Sequence, residues 1–193
     1  MAKIAIFGGT FNPFHIGHYE MLKALCDLDF IDMVLVMPDK IPPHKDFDVV
    51  VDDIHRQKMC DIVCNDFSKS QLCLIEFERD GKSYTIDTIK LLRDKYPDDD
   101  FYFVIGGDML SNLDKWYCWQ ELIKQTAFIA FRRDGLEDFD KSLIKMKSLG
   151  ANIIVLDDNI TNVSSTMLRK KIDKSFLPRK IYEYIIQKGI YNV

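Results

Sequence analysis

The sequence predicts an α/β fold in which a doubly wound parallel sheet carries helices on both faces. Short apolar runs alternate along the chain with longer segments of helical periodicity. The runs are apolar throughout, as strands buried on both faces must be, and this favours a parallel sheet. No internal repeat, low-complexity tract or linker interrupts the alternation. We therefore expect a single domain over residues 1–193.

The first predicted strand, 3–7, leads into a glycine turn and then into a helix. Gly8 and Gly9 end the strand and let the backbone turn close to a ligand, because neither carries a Cβ. Pro13 prevents an earlier helix start. Apolar residues then recur at close to helical spacing from Ile16 onward.

Two histidines stand at the start of this helix. His15 and His18 are three residues apart, so their imidazoles share one face beside the free N–H groups of the helix terminus. This arrangement favours the binding of polyphosphate. Half of a zinc site is the alternative, but zinc needs a third and usually a fourth ligand.

The remaining elements continue the alternation to the end of the chain. Ser83 is the predicted N-cap of a helix that ends before Pro97. A Rossmann-like sheet follows, with its ligand crevice at the carboxyl ends of the strands. Further strands are predicted at 32–38, 72–75, 101–105, 128–131 and 153–156. Further helices are predicted at 52–65, in one or two parts of 109–124, near 139–149, from Ser164-Ser165 and after Pro178.

Composition and charge limit the classes of function. A chain of 193 residues with 47% hydrophobic and 29% charged residues can bury a substantial single core. Its net charge of -4 argues against a general nucleic-acid binder. We expect no membrane partner, because no run reaches transmembrane length and no signal segment opens the chain. The five cysteines include no CxxC pair, so reduced thiols in a cytoplasmic protein are the default.

Four separated segments should meet at the predicted crevice, since each follows a strand or opens a late helix. Lys45 and Arg169 would bring cations, and the late helix would bring hydroxyls beside its free N–H groups. Asp108 is a carboxylate suited to a ribose diol. Taken singly, each residue has a purely structural alternative: Lys45 could be a solvated loop lysine, Ser164 only an N-cap, and Asp108 a turn or cap residue. The segments are 8–18, 44–45, 106–108 and 164–169.

The motifs in these segments resemble those of the nucleotidylyltransferase superfamily, whose signature is T/HxGH. More narrowly, they are similar to bacterial nicotinate-nucleotide adenylyltransferases, and the similarity covers nearly the whole chain in order. The residue pair Tyr117-Cys118 departs from that pattern, which has a histidine or a basic residue there. The matching strings are GGTFNP at 8–13, PPHK at 42–45, SYTIDT at 83–88, GGD at 106–108 with Trp116, and VSSTMLR at 163–169.

The resemblance implies transfer of AMP from ATP to nicotinate mononucleotide, giving deamido-NAD and pyrophosphate in NAD biosynthesis. Mg²⁺ is expected as a bridge between substrate phosphates, without a metal site built by the protein. Homo-oligomer formation is left open by the sequence. The implied catalytic residues are His15, His18, Lys45 and Arg169. The implied ATP-binding residues are Gly8, Gly9, Thr10, Phe11, Gly106, Asp108, Ser164, Ser165 and Thr166, and those for the nicotinate nucleotide are Tyr84, Thr85 and Trp116.

Other relatives and other classes of function fit less well. Pantetheine-phosphate adenylyltransferases share HxGH but are shorter and lack the SYT and Trp116 elements. Class I aminoacyl-tRNA synthetases share the literal HIGH string but are much longer. A non-catalytic nucleotide sensor or an RNA-binding relative of the synthetases remains a rival. The acidic charge balance and the intact set of phosphate-binding side chains count against both.

Overall fold

A computed structural model describes residues 1–40, 51–79, 81–132 and 138–192. The strands are β1 Lys3–Gly9, β2 Met33–Pro38, β3 Ser70–Leu72, β4 Asp100–Gly106, β5 Ala127–Phe131 and β6 Ile153–Leu156. The helices are α1 Ile16–Asp27, α2 Asp53–Cys64, α3 Thr85–Lys95, α4 Gly107–Leu110, α5 Trp119–Gln125, α6 Phe139–Ser148, α7 Ser165–Lys170 and α8 Arg179–Lys188. Short 3₁₀ turns lie at Ile75–Glu78, Leu113–Lys115 and Lys174–Phe176.

The strands form one six-stranded sheet in the order β3-β2-β1-β4-β5-β6. Every neighbouring pair is parallel. The chain builds outward from β1 to β3 on one side and then from β4 to β6 on the other. The order therefore reverses between β1 and β4, which opens a crevice beyond their carboxyl ends. The predicted fold class is confirmed.

Two apolar cores lie on opposite faces of the sheet. Successive side chains of a strand point to opposite faces, so Ala5 and Phe7 of β1 enter one core while Ile4 and Ile6 enter the other. Helices α1, α2 and α8 cover the first core, and α3, α5 and α6 cover the second. Among the described residues, none of the helices has the length and apolar character needed to span a bilayer.

The third strand differs from its prediction. The sequence predicts 72–75, whereas the strand is Ser70–Leu72 and pairs with β2 from Val34 to Val36. Its last ladder contact is the Cys73 N–H donating to the Val36 carbonyl at 2.9 Å. Ile75 then opens a 3₁₀ turn and is 4% exposed. Ile75 is therefore buried as part of a turn and not as part of a strand. An apolar run of three or four residues in the sequence does not show which of the two will form.

The predicted cap of the third helix is also wrong. Tyr84, not Ser83, precedes the first helical residue, and no side chain caps the helix there. Ser83 Oγ instead accepts a hydrogen bond from the Lys40 N–H at 3.3 Å. The serine thus joins the start of α3 to the end of β2, a contact between residues distant in the chain.

Candidate active site

A cavity of about 530 Å³ lies at the carboxyl ends of β1 and β4. Apart from Lys45, which lies outside the described residues, all residues proposed for the site from the sequence line this one cavity. They are Gly8, Gly9, Thr10, Phe11, His15, His18, Tyr84, Thr85, Gly106, Asp108, Trp116, Ser164, Ser165, Thr166 and Arg169. Segments separated by most of the chain therefore share one surface.

The two histidines cap the helix on which they stand. His15 is the N-cap of α1, and its Nδ1 accepts a hydrogen bond from the His18 N–H at 3.3 Å. In return, His18 Nδ1 accepts from the His15 N–H at 3.3 Å. The rings stack with centroids 3.5 Å apart and an interplanar angle of 15°. This reciprocal capping box satisfies two helix-terminal N–H groups with imidazole nitrogens.

This hydrogen bonding decides which ring nitrogen carries the proton. A nitrogen that accepts from an N–H cannot also be protonated, so the neutral rings of His15 and His18 carry their proton on Nε2. Both rings line the cavity. Nε2, on the ring edge away from the helix terminus, is therefore the N–H donor of each neutral ring.

An aromatic cluster holds the His18 ring in place. The ring meets Phe11 edge-on at 5.0 Å and Phe14 at 5.3 Å between centroids. Phe11 and Phe14 stack on each other at 4.9 Å and are buried. Phe11 has a φ of 48°, so the turn after Gly9 is strained at a non-glycine residue. The packing of its ring beneath His18 offsets that strain.

Gly17 lets a late segment of the chain reach α1. A Cβ at this position would stand 2.9 Å from the Thr161 carbonyl oxygen, closer than a side chain tolerates. On the same helix, the Glu20 carboxylate accepts from the Thr161 N–H at 2.6 Å and from its hydroxyl at 2.8 Å. The segment that precedes α7 is thus fastened to the helix that carries both histidines.

Helix α7 is joined to the turn that follows β1. Ser164 is its N-cap and accepts from the Met167 N–H at 3.2 Å. The Ser165 hydroxyl donates to the Pro13 carbonyl at 3.0 Å. Arg169 Nη1 donates to the Asn12 carbonyl at 3.0 Å. These contacts bring the hydroxyls and the guanidinium of α7 to the wall of the cavity that carries the histidines.

The Asn12 side chain is held from the far end of the chain. Tyr191 donates its hydroxyl hydrogen bond to Asn12 Oδ1 at 2.6 Å, and both residues are buried. Burial raises the pKa of the Tyr191 phenol well above its usual value. The phenol therefore stays neutral and remains a donor across the physiological range.

Asp108 lies where the sequence expects it, at the end of the fourth strand. A Cβ on Gly106 would be only 2.7 Å from Asp108 Oδ1, so the carboxylate folds back over the Gly106 backbone. Asn112 donates its amide to the Asp108 carbonyl at 3.1 Å. Asp108 lines the cavity.

Sequence reasoning missed a buried arginine beneath the glycine turn. Arg56 of α2 is 3% exposed and donates to the Thr10 carbonyl at 2.9 Å and to the Asp39 carbonyl at 2.8 Å. It also pairs with the Asp39 carboxylate at 3.3 Å, and Asp39 accepts from the Thr10 hydroxyl at 2.9 Å. The guanidinium thereby ties the end of β2 to the turn after β1. The one feature of the sequence that could indicate a buried Arg56 is that a charged residue stands among the apolar positions of a predicted helix.

The other end of the cavity is aromatic. Trp116 meets Phe103 edge-on at 6.0 Å between centroids, and Tyr84 lies 4.7 Å from the Tyr117 ring. The Tyr84 N–H donates to the Lys82 carbonyl at 3.0 Å, so this amide is already hydrogen-bonded within the chain. The amide of Thr85, the first helical residue, is one of those that have no partner within the helix.

The site is therefore equipped to hold polyanions and an aromatic ring. Ring N–H donors, hydroxyls and Arg169 stand at one end, and an indole and a helix start stand at the other. Within the described ranges, no three His, Cys, Asp or Glu side chains form a group that could hold a metal ion. The five cysteines are free.

This fold and this site define a class of nucleotide-transferring α/β proteins. The chain belongs to the cytidylyltransferase-like family, whose model matches residues 6–171. Nucleotidyltransferases of this kind generally use a divalent metal.

Full-length relatives narrow the class to nicotinate-nucleotide adenylyltransferases. A probable nicotinate-nucleotide adenylyltransferase of Lactococcus lactis subsp. lactis is 39% identical over 98% of this chain and 95% of its own length. The nicotinate-nucleotide adenylyltransferase of Bacillus subtilis is 36% identical, with 100% of each chain covered. The solved structure of Plasmodium falciparum nicotinic acid mononucleotide adenylyltransferase complexed with NaAD has a TM-score of 0.82. It covers 100% of this chain and 98% of its own at 22% identity, which shows the shared fold.

Proposed function

We propose that this protein transfers AMP from ATP to nicotinate mononucleotide, with deamido-NAD and pyrophosphate as products. One observation carries the proposal: the capped histidine pair of α1 and the Arg169 end of α7 line the same cavity and are joined through Asn12. ATP and nicotinate mononucleotide fit the reaction named for the relatives. The enzyme would work as one nucleotidylyltransferase domain, residues 1–193, in the cytoplasm.

The reaction needs positioning more than it needs a base. The attacking group is the phosphate of nicotinate mononucleotide, which is already ionised at neutral pH. Its oxygen forms a bond to the α-phosphorus of ATP as the bond to the β-phosphate oxygen breaks, and the electron pair leaves with pyrophosphate. The site has to hold two polyanions in line and stabilise the charge that develops in the transition state.

The histidine pair would supply donors at the reacting phosphate. His18 is assigned to the α-phosphate in the transition state and His15 to the flanking phosphates. Support for these roles comes from the reciprocal Nδ1 hydrogen bonds, which leave Nε2 as the donor of each neutral ring. Because the rings are already fixed by capping and stacking, little reorganisation is needed during the reaction.

The leaving pyrophosphate would be met by cations and by the start of α7. Arg169 and Lys45 are assigned to its negative charge. The hydroxyls and leading amides of α7 would add donors from Ser164, Ser165 and Thr166. Anchoring of the Arg169 guanidinium to the Asn12 carbonyl supports this role, because it fixes the cation beside the turn after β1.

Each nucleoside would be bound at its own end of the cavity. Backbone from Gly8 to Phe11 with Gly106 would line the ATP site, and Asp108 would accept hydrogen bonds from a ribose. At the aromatic end, Trp116 would stack on the pyridinium ring, a cation against a π face. The nicotinate carboxylate would lie at the start of α3 beside Tyr84 and Thr85.

Mg²⁺ is the divalent ion that we assign to the reaction. It prefers oxygen ligands, keeps several waters and is commonly bound through substrate phosphates with one or two carboxylates. The described donor set fits such a bridging ion, because the carboxylates that line the cavity, those of Asp39, Glu76 and Asp108, are not grouped into a site that could hold a metal ion alone. When bound, the ion would neutralise charge on the phosphates of ATP.

Release of pyrophosphate tests the proposal. Purified protein is mixed with ATP, Mg²⁺ and each of several acceptor phosphates, including nicotinate mononucleotide, nicotinamide mononucleotide and pantetheine phosphate. We expect turnover with nicotinate mononucleotide and a product with the mass of deamido-NAD. Release with a different acceptor, or none with any, would reject the assignment.

A further inference from the structure

The aromatic end of the cavity contains a buried carboxylate that the proposed reaction does not use. Glu76 is 5% exposed and lines the cavity together with Tyr84, Thr85 and Thr88. A buried negative charge is costly unless it is paired and hydrogen-bonded. It also stands at the end of the cavity assigned to a negatively charged nicotinate group.

Arg79 compensates this carboxylate. Its Nη2 lies 3.3 and 3.2 Å from the two carboxylate oxygens of Glu76, and the Thr88 hydroxyl donates to one of them. We call Glu76, Arg79 and Thr88 the carboxylate network. The positive charge of Arg79 opposes that of Glu76, so the buried acid adds less negative potential to the cavity than it would alone.

The same arginine also contacts the start of α3. Arg79 Nη2 reaches the Tyr84 carbonyl at 3.4 Å, and Nη1 lies 3.4 Å from the Asp87 carboxylate. The Arg79 carbonyl in turn accepts from the Lys40 ammonium at 2.8 Å. A single guanidinium therefore stands between two carboxylates beside the first turn of the helix.

We propose that Arg79 is a specificity-determining residue, which permits an acidic pyridine nucleotide to bind by neutralising Glu76 at the aromatic end of the cavity. The inference rests on the proposed function, because it concerns the choice between nicotinate and nicotinamide mononucleotides. Without the guanidinium, the Glu76 carboxylate would repel the carboxylate of the acid and leave the neutral amide unaffected. Arg79 is a positioning residue here, since it acts through Glu76 and not on the substrate.

A cycle of four proteins tests this charge balance. The four proteins differ in the charge of the carboxylate network. That charge is zero in wild type, negative in Arg79→Gln, positive in Glu76→Gln and zero again in the double variant Glu76→Gln/Arg79→Gln. For each, kcat/KM is measured by pyrophosphate release with the acid and the amide as acceptors. The ratio of acid to amide is the readout, because a general loss of structure would lower both values together.

The expected ratios follow the charge. Arg79→Gln should lower the acid-to-amide ratio by about tenfold or more, mainly through a higher KM for the acid, as one unneutralised charge in a partly buried site would. Glu76→Gln should raise the ratio by roughly threefold or more, since Arg79 then keeps only the more exposed Asp87 carboxylate as a charged partner. The double variant should return to within about threefold of wild type, because the offending carboxylate has gone.

Arg93→Gln is the matched control. Arg93 is also half-buried and also donates to a carbonyl, that of Gln125 at 2.9 Å, but Gln125 does not line the cavity, whereas Glu76, the partner of Arg79, does. Its loss should leave the ratio unchanged. An equal change in this variant would attribute the effect to general destabilisation and reject the proposal.

Each outcome decides between the two levels of inference. A wild type that turns over neither nucleotide rejects the proposed function and this inference with it. Suppose that wild type prefers the acid. If Arg79→Gln shows the same preference, or if the double variant does not restore the preference, the role of Arg79 is rejected and the proposed function stands. If Arg79→Gln does not fold, Glu76→Gln decides: a raised ratio supports the proposal, and an unchanged or lowered ratio overturns it.

Discussion

Arg169 Nη1 donates to the main-chain carbonyl of Asn12 at 3.0 Å and so joins helix α7 to the turn after the first strand. The two residues are 157 positions apart in the chain. Arg169 lines the same cavity as His15 and His18. The groups from both ends of the sequence that we propose to bind phosphate are therefore held at a fixed separation, as in-line transfer between two polyanions would require.

Replacing His18 by alanine should affect both the rate and the helix. We expect kcat to fall by about a hundredfold or more, the cost of removing one donor to a transition-state oxyanion. Stability should fall by about 1 kcal/mol, because Nδ1 also caps the His15 N–H. Pyrophosphate release and urea unfolding measure the two effects. His55→Ala is the control, because it removes an imidazole that is hydrogen-bonded to Tyr184 and does not line the cavity, and it should leave kcat unchanged. Equal rates in the two variants would exclude His18 from the mechanism.

Arg56→Met should be strongly destabilising. The substitution leaves the Asp39 carboxylate and the Thr10 carbonyl without their buried partner, and breaking such a pair costs about 3–5 kcal/mol. Urea unfolding with an unchanged m-value measures the loss. Arg179→Met is the control, because the Arg179 side chain is 90% exposed and solvent screens its pair with Glu183, so its loss should change stability little. Similar losses for the two variants would contradict a structural role for buried Arg56.

Gly17→Ala should disturb α7 from a distance. The new Cβ would meet the Thr161 carbonyl oxygen at 2.9 Å, so the segment before α7 must move. We expect a loss of about 1–3 kcal/mol in stability and a lower kcat, since the Ser164 to Arg169 groups shift with that segment. Lys23→Ala on the same helix removes only an exposed pair with Asp27 and is the control. Full activity in Gly17→Ala would mean that the position of α7 does not depend on this contact.

The thiols of Cys26, which is half-buried, and Cys64, which is buried, should be slow to react and should make stability fall at high pH. Burial raises the pKa of Cys26 to about 11 and that of Cys64 to about 12. Only about one thiol in a thousand or fewer is then ionised at pH 8, so alkylation of the native protein should spare both residues, as mass spectrometry of labelled peptides can show. Rapid native labelling of Cys64 would contradict its burial.

The sign of the pH dependence follows from the same shifts. Above the ordinary thiol pKa of 9.0 the unfolded chain loses these protons first, so the free energy of unfolding should decrease as the pH rises. For Cys26 the decrease should end near pH 11, where the folded thiol ionises as well. Below pH 9.0 this contribution is fully present. Unfolding curves of wild type and Cys26→Ala across that range measure it.

The fold could be predicted from the sequence because its signals are local. Continuous apolar runs between helical segments indicate a buried parallel sheet, and glycine, proline and capping residues mark where elements end. The predicted element boundaries were wrong where a hydrogen-bond partner distant in the chain decides the local conformation. The Leu72–Ile75 run pairs with β2 only as far as Cys73, and Ser83 bonds Lys40 in place of capping α3.

The sequence by itself determined the order of strands and helices, the histidine pair on the first helix and the motifs that resemble one enzyme family. These depend on residue spacing and turn chemistry within short windows. Tertiary structure alone decided that Arg56 lies beneath the glycine turn, that Tyr191 supports Asn12 and that Arg79 neutralises Glu76. Each of these contacts depends on how packed elements bring side chains together. A buried polar group takes its partner from whatever the fold places beside it, and no local pattern specifies that neighbour.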